Sequence, residues 1–369
     1  MYLFVLQRIV KKTELFFLFF VQAKIRKKTD IQHLIEMQRK IIIFAVFLTG
    51  LLVGHGVSAQ NKEKMRTYEA ELNRLFDKTF NAATDNERYN ANELVIQLLE
   101  EALEINKSFK WQWNFGNNVS VLTSSDDRFK VFTWAVLRDN GEYECFGMMQ
   151  ILNTKTDEYD VYVLNDKSEE IFNPEESTLT AGNWYGAIYQ DIVTIQCDNK
   201  TFYTLLGWTG GNTIIQRKVI EPLVLKNNSS QPTFGLNMFK HDKNLRRVVL
   251  QYSKKATVNL RYDEQYYQIE EKKKVKKNGK MVTVMVPREE KDYMIVYDDV
   301  QPVIEGMSGL YQYYVPIGIE NAYYFSNGKW ILRENIHGRL HEKEKYIKDF
   351  VPLKKKRPAY STEVKPVGK

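Results

Sequence analysis

The sequence predicts a mainly β protein with a small α part: an antiparallel β-meander forming a sandwich or open barrel, preceded by an N-terminal helical hairpin. Three observations predict it. The stretch 191–220, DIVTIQCDNKTFYTLLGWTGGNTIIQRKVI, divides into three short apolar runs separated by Asp198-Asn199-Lys200 and Thr209-Gly210-Gly211-Asn212, turn residues that tolerate positive φ. Further runs with period-2 alternation recur to about residue 335, several of them joined by Asn-Gly. Aromatic residues make up 13% of the chain, with 22 Tyr and 20 Phe, and strand pairs favour such residues. A propeller is the alternative architecture, but no blade-length repeat is visible.

Within the central meander, Val193, Ile195 and Cys197 alternate with Thr194 and Gln196, as in a half-buried strand. Residues 202–208 are apolar or aromatic at nearly every position, as in a strand covered on both faces. Phe202, Thr204, Leu206 and Trp208 share one face of that strand, and Trp208 is expected to anchor the core. The turn Asp139-Asn140-Gly141 joins 129–137 to 143–151 as a hairpin. Further strands are expected at 159–164, 247–252, 257–262, 293–297, 310–315 and 321–332, the last turning at Ser326-Asn327-Gly328-Lys329.

The N-terminal part reads differently. Arg39 and Lys40 precede an apolar run, 41–53, and Val57-Ser58-Ala59 supplies small residues before a cut. That order marks 37–59 as a secretory signal peptide cleaved after Ala59, too short and Gly-interrupted to favour spanning a bilayer. The alternative is an uncleaved segment, 41–57, anchoring the chain to the inner membrane. No Cys stands near Gln60 to carry a lipid. Residues 1–36 fit no signal peptide, and Met37 reads as the true start, with 1–36 a mis-annotated extension. The expected location is the periplasm or cell envelope of a Gram-negative type bacterium, with membrane contact only through an uncleaved leader.

Removal of the leader changes the charge. The full chain carries +7, but residues 60–369 hold 44 basic and 43 acidic residues, +1. The basic isoelectric point is therefore no argument for nucleic acid, which is excluded as a partner. Cys145 and Cys197, both in strand patterns of an exported chain, are compatible with a disulfide or with two free thiols.

Residues 60–108 carry two amphipathic stripes. Met65, Tyr68, Leu72, Leu75, Phe76 and Phe80 form the first; Leu94, Val95, Leu98, Leu99, Ala102 and Leu103 form the second, with Asp85 or Asn86 as its expected N-cap. Residues 109–352 form the antiparallel β domain. Within it, 270–291 reads as an inserted hairpin with a cationic tip, where Lys272, Lys273, Lys274, Lys276, Lys277 and Lys280 surround Asn278-Gly279. Edge lysines discourage strand pairing, and an acidic partner is the functional alternative. The tail, 353–369, is Lys/Pro-rich and expected to be disordered.

Chemistry is sparse. Gly210-Gly211 is a turn between strands and not a phosphate cradle, and no G-x-S-x-G elbow is present. His337 and His341 have the i, i+4 spacing of helical ligands but lack the acid of an H-E-x-x-H motif, so neither metal nor cofactor is expected. The pairs Glu169-Glu170, Glu175-Glu176 and Asp298-Asp299 offer carboxylates for glycoside hydrolysis, but neighbours on a strand point to opposite faces. The most suggestive feature is the row Phe109, Trp111, Trp113 and Phe115, a surface for sugars or a protein partner if displayed, and a seam between helix and sheet if buried.

Tyr203-Thr-Leu-Leu-Gly-Trp-Thr-Gly-Gly-Asn212, Lys218-Val-Ile-Glu-Pro-Leu223, Phe234-Gly235 and Arg247-Val-Val-Leu-Gln-Tyr-Ser253 together resemble an uncharacterised family of exported β-rich bacterial proteins with no assigned activity. The resemblance covers 110–335 and implies export and fold; it transfers no site. The expected function is a non-catalytic binding or envelope-associated protein whose partner is a glycan or an envelope protein. A glycan-acting hydrolase and a structural subunit of an envelope assembly are the alternatives.

Overall fold

The computed structural model describes residues 61–105, 107–225, 231–277 and 280–336. The leader, the segment before it, His337, His341 and the tail lie outside the described residues. The chain divides into two compact units, Met1–Tyr68 and Glu69–Lys369. Of the first, 61–68 are described and are helical, with Thr67 donating to the carbonyl of Glu63.

In the second unit, residues 69–81 are helical, and after a short turn a second helix spans Asp85–Leu103. Its N-cap is Thr84, ahead of the expected Asp85 or Asn86. Thr84 Oγ1 accepts from the Glu87 amide, and the Glu87 carboxylate accepts from the Thr84 amide, so the two satisfy each other's free groups. Asp85 instead pairs with Arg88.

The strands are antiparallel and form three sheets, one of them curled as a half-barrel. The first sheet is β1 (Val119–Thr123), β2 (Phe129–Leu137), β3 (Tyr143–Asn153) and β4 (Glu158–Asn165), in that order. The second is ordered β5 (Leu179–Thr180), β9 (Pro232–Phe234), β8 (Ile215–Leu225), β7 (Lys200–Thr209), β6 (Ile188–Cys197), with β10 (Val248–Ser253) also paired to β8. The third is β11 (Leu260–Lys277), β12 (Lys280–Pro302), β13 (Tyr314–Ser326) and β14 (Lys329–Ile336).

Turn chemistry fixes the registers. Asp198 and Asn199 both have positive φ and close β6 to β7 in two residues; Asn327 and Gly328 do the same between β13 and β14. Two αL residues in a two-residue loop match the strand twist, which is why Asn, Asp and Gly stand there.

The sheets stack, and the middle one has a core on each side. Phe129, Val131 and Met149 of the first sheet pack against Tyr203, Leu205 and Val219 of the second. On the reverse face of the second sheet, Val193, Leu206 and Ile220 meet Ile295, Tyr323 and Trp330 of the third. The other face of β2 is covered by helix: Trp134 lies edge-on to Phe76 with centroids 5.4 Å apart, and its indole N–H donates to Asn92 Oδ1 at 2.7 Å. Strands β2 and β7 therefore read as apolar on both faces because both faces are covered.

Trp208 departs from the expected anchor role. The strand is buried from Tyr203 to Gly207, but Trp208 is half-buried, edge-on to Tyr143, and its indole N–H donates to Gln216. It stands one residue from the strand end, past the last β7 residue of the core against the third sheet. Among the described residues Trp134, Trp184 and Trp330 are the fully buried tryptophans. Cys145 is buried and Cys197 half-buried, and both thiols are free.

At the centre of the second sheet lies a buried ion pair. Arg247 Nε donates to Glu221 Oε1 at 2.6 Å, and both side chains have zero exposure. Tyr189 donates to the other oxygen, Oε2, at 2.5 Å, and the Trp184 indole donates to Tyr189 Oη at 2.7 Å. Arg247 Nη1 donates to the carbonyls of Pro174 and Ser177. Burial, followed by the Glu221 charge, pushes the Tyr189 phenol well above its ordinary value, so it remains the donor. Gly235 has φ +79°, and a Cβ there would lie 2.8 Å from Arg247 Nη2, so only glycine leaves room for the guanidinium. Glu221→Ala strands a buried cation and is expected to cost about 3–5 kcal/mol in denaturant unfolding. The double replacement Glu221→Leu/Arg247→Met is expected to cost less than that single change; an equal or larger loss overturns the reading.

Candidate functional site

A cleft forms where the second helix ends above the first sheet. After Leu103 the chain reverses through Lys107, a non-glycine residue at φ +70°, into a 3₁₀ turn, Ser108–Lys110. The Ser108 hydroxyl donates to the carbonyl of Leu103 at 2.6 Å, which ties the reversal to the helix end. From β3, Gln150 Nε2 donates to the same carbonyl at 2.8 Å and to Ser108 Oγ at 2.7 Å. Entry into β4 is turned by Asp157, at φ +58°, and brings Tyr159 against Phe109. The result is a cleft of about 340 Å³ whose lining includes Phe109, Tyr159, Ser108 and Gln150, with Lys107, Lys110, Glu104, Asp157 and Glu158 supplying charge of both signs.

Two features define its chemistry. The Phe109 and Tyr159 rings stack with centroids 4.0 Å apart and planes 15° apart, an aromatic wall. The Gln150 carboxamide oxygen is buried and accepts no hydrogen bond from the described residues. Beside them, Lys130 lies opposite Gln150 in the β2–β3 register. Its ammonium donates to the carbonyls of Phe109 and Trp111 and sits 5.1 Å from the Phe109 ring centre. Lys130 thus clamps the segment that forms the wall. Burial lowers its pKa to about 8, opposed in part by Asp127.

The aromatic row singled out in the sequence is not displayed as one stacking face. Phe109, Trp113 and Phe115 are buried; Trp111 is half-buried. Trp113 packs between Phe115, 5.2 Å away, and Phe132, 6.2 Å away, while Phe115 meets Phe76 at 5.1 Å. The row closes the seam between the helices and the first sheet, because the 3₁₀ turn breaks the extended geometry that would have aligned it. Phe109 alone of the four lines the cleft. Gln150 and Tyr159 carried no sequence signal of their own, since the turn at 107 and the β3–β4 hairpin bring them to Phe109.

The carboxylate pairs serve local structure. Asp298 Oδ2 accepts from the Asn259 amide at 2.8 Å and Asp299 from Gln301. Glu175 accepts from the Val249 amide and Glu170 pairs with Lys167. No group of three or more His, Cys, Asp or Glu among the described residues could hold a metal ion. His241 stacks on Tyr323 at 5.7 Å. No helix among the described residues is long and apolar enough to cross a membrane. Comparison with protein-family models, with curated proteins and with solved structures finds no match.

The Lys130 shift yields a signed expectation. Its folded pKa lies below the ordinary lysine value of 10.5, so burial disfavours the charged form in the folded chain only. The penalty is complete below about pH 8 and is relieved as the pH rises towards the unfolded value. The unfolding free energy of wild type relative to Lys130→Met is therefore expected to increase from pH 8 to about pH 10. A difference that stays flat across that interval overturns the assignment.

Proposed function

We propose that this chain is an exported, non-catalytic binding protein of the bacterial cell envelope, and that the cleft at the helix end holds a small saccharide-like ligand. The observation that carries the reading is the cleft itself, where a stacked aromatic pair stands beside a buried amide oxygen that lacks a donor. Ligand sites combine apolar walls with polar groups that fix orientation, and this cleft sets its aromatic pair among polar and charged side chains. With one face of Tyr159 stacked on buried Phe109, its other face suits the C–H face of a sugar ring, and a hydroxyl or N-acetyl N–H reaching the cleft floor would supply the donor that Gln150 lacks. The Ser108 hydroxyl hydrogen, which a nucleophilic mechanism would need, is already committed to the Leu103 carbonyl. Export is supported by the order of Arg39-Lys40, the apolar run 41–53 and Val57-Ser58-Ala59.

Calorimetric titration with short N-acetylhexosamine oligomers tests the ligand class. Binding by wild type, weakened about tenfold or more in Tyr159→Ala through loss of the ring contact, is expected; absence of heat, or equal affinity in the variant, refutes it. For export, sequencing of the mature N-terminus is expected to begin at Gln60 or Asn61, and a mature chain that retains Ile41 refutes cleavage.

A further inference from the structure

Strands β11 and β12 pair without a break from Leu260↔Tyr297 to Lys277↔Lys280, but β13 joins β12 only from Met294 onward. Beyond that point the ribbon is two strands wide. Two-stranded ribbons are marginal in water on their own, so an uncovered one of this length invites a partner surface.

The register sorts the tip residues by face, because directly opposed residues share one. One face carries the pairs Lys277↔Lys280, Val275↔Val282, Lys273↔Val284 and Glu271↔Val286; the other carries Lys276↔Met281, Lys274↔Thr283 and Lys272↔Met285. Lysine and apolar side chains are thus interleaved on both faces. Met281 is 64% exposed, Met285 48% and Val282 41%. From 272 to 288 there are seven cations and no carboxylate. The ion pairs of the ribbon lie below the tip, between Arg288 and Glu271 or Glu290 and between Lys291 and Glu264. None of the six tip lysines forms a salt bridge among the described residues.

We propose that this ribbon tip docks on a bilayer surface rich in anionic phospholipid. A protein groove covers one face of a ribbon and leaves the other face's methionines or valines in water. A headgroup layer surrounds a protruding tip on every side. It offers phosphates to ammonium groups and, a few ångströms deeper, an acyl boundary to Met281, Val282 and Met285. Long lysine stems lie along apolar neighbours while their ammonium ends remain at the headgroups, which permits the interleaving. This contact is separate from the cleft and does not depend on it.

The test is co-sedimentation of the full chain with phosphatidylglycerol-containing vesicles and with pure phosphatidylcholine vesicles. Two variants accompany wild type: Lys272, Lys273, Lys274, Lys276, Lys277 and Lys280 all →Gln, and Met281→Ser/Met285→Ser. Any leader is common to all three, so differences report the ribbon. Wild type is expected to prefer the anionic vesicles and to be released by salt, since exposed charge contacts are screened. The lysine variant is expected to lose about tenfold or more of that binding, the methionine variant a smaller part, with thermal unfolding unchanged in both. Equal binding to the two vesicle types, or a lysine variant that binds like wild type, overturns the proposal. Capture by immobilised poly-glutamate without preference for anionic vesicles also overturns it, in favour of an acidic polypeptide.

Discussion

The buried pair of Glu221 and Arg247 is the constraint that the middle of the molecule is built to satisfy. An isolated charge in such a core is prohibitive, and even a paired one repays its desolvation only if its remaining lone pairs and protons are used. Here both carboxylate oxygens are used, together with Nε and Nη1 of the guanidinium. Tyr189 on β6 takes the second carboxylate oxygen, Trp184 caps Tyr189, and the 174–177 segment offers two carbonyls to the guanidinium. One nitrogen, Nη2, makes no hydrogen bond among the described residues. Each partner comes from a different part of the chain, so the pair cannot close until β6, β8, β10 and the loop before β5 are all in place. A polar network of this kind specifies arrangement more than it adds stability.

Its position explains its reach. Glu221 belongs to β8, whose alternate residues face different cores: Val219 and Leu223 towards the first sheet, Ile220 towards the third. A one-residue slip of β8 would move Glu221 to the opposite core and strand Arg247, which sits just before β10. Register in the middle sheet is therefore held by charge as well as by volume. The aromatic excess then fills the space around that fixed frame, as in the Phe129–Tyr203 and Phe325–Trp330 contacts, 5.2 and 5.1 Å between ring centres.

How much of this was legible in the sequence follows from the range over which each feature is determined. Strands and turns are local: Asp198-Asn199 and Asn327-Gly328 name their own conformation, and period 2 names the strand. Helical stripes are equally local, although the cap fell on Thr84 because its reciprocal bond with Glu87 outweighs the claim of Asp85. Trp208 misled because period tells which face a residue occupies and not where the covering layer stops. The network was marked in plain sight by a lone acid inside Val219-Ile220-Glu221-Pro222-Leu223, since a charge in an otherwise apolar strand must find a partner. That its partner is Arg247 depends on β8–β10 pairing and could not be read from spacing. The cleft was least legible, as residues 103–110, 150 and 157–159 meet only through tertiary packing.

The ribbon shows how one composition can select among partners. Its two edges carry open backbone groups beyond the point where β13 leaves, and an unprotected edge would recruit any passing strand. The lysines along that edge oppose such pairing, because an added strand would have to match a dense row of like charges at strand spacing. What remains attractive is a diffuse anionic surface that needs no register. The same six residues that would prevent aggregation in solution thereby favour a layer of headgroups over a strand. The middle sheet lies between this tip's sheet and the first sheet, whose helix-side face bears the cleft, so the two surfaces share no residues.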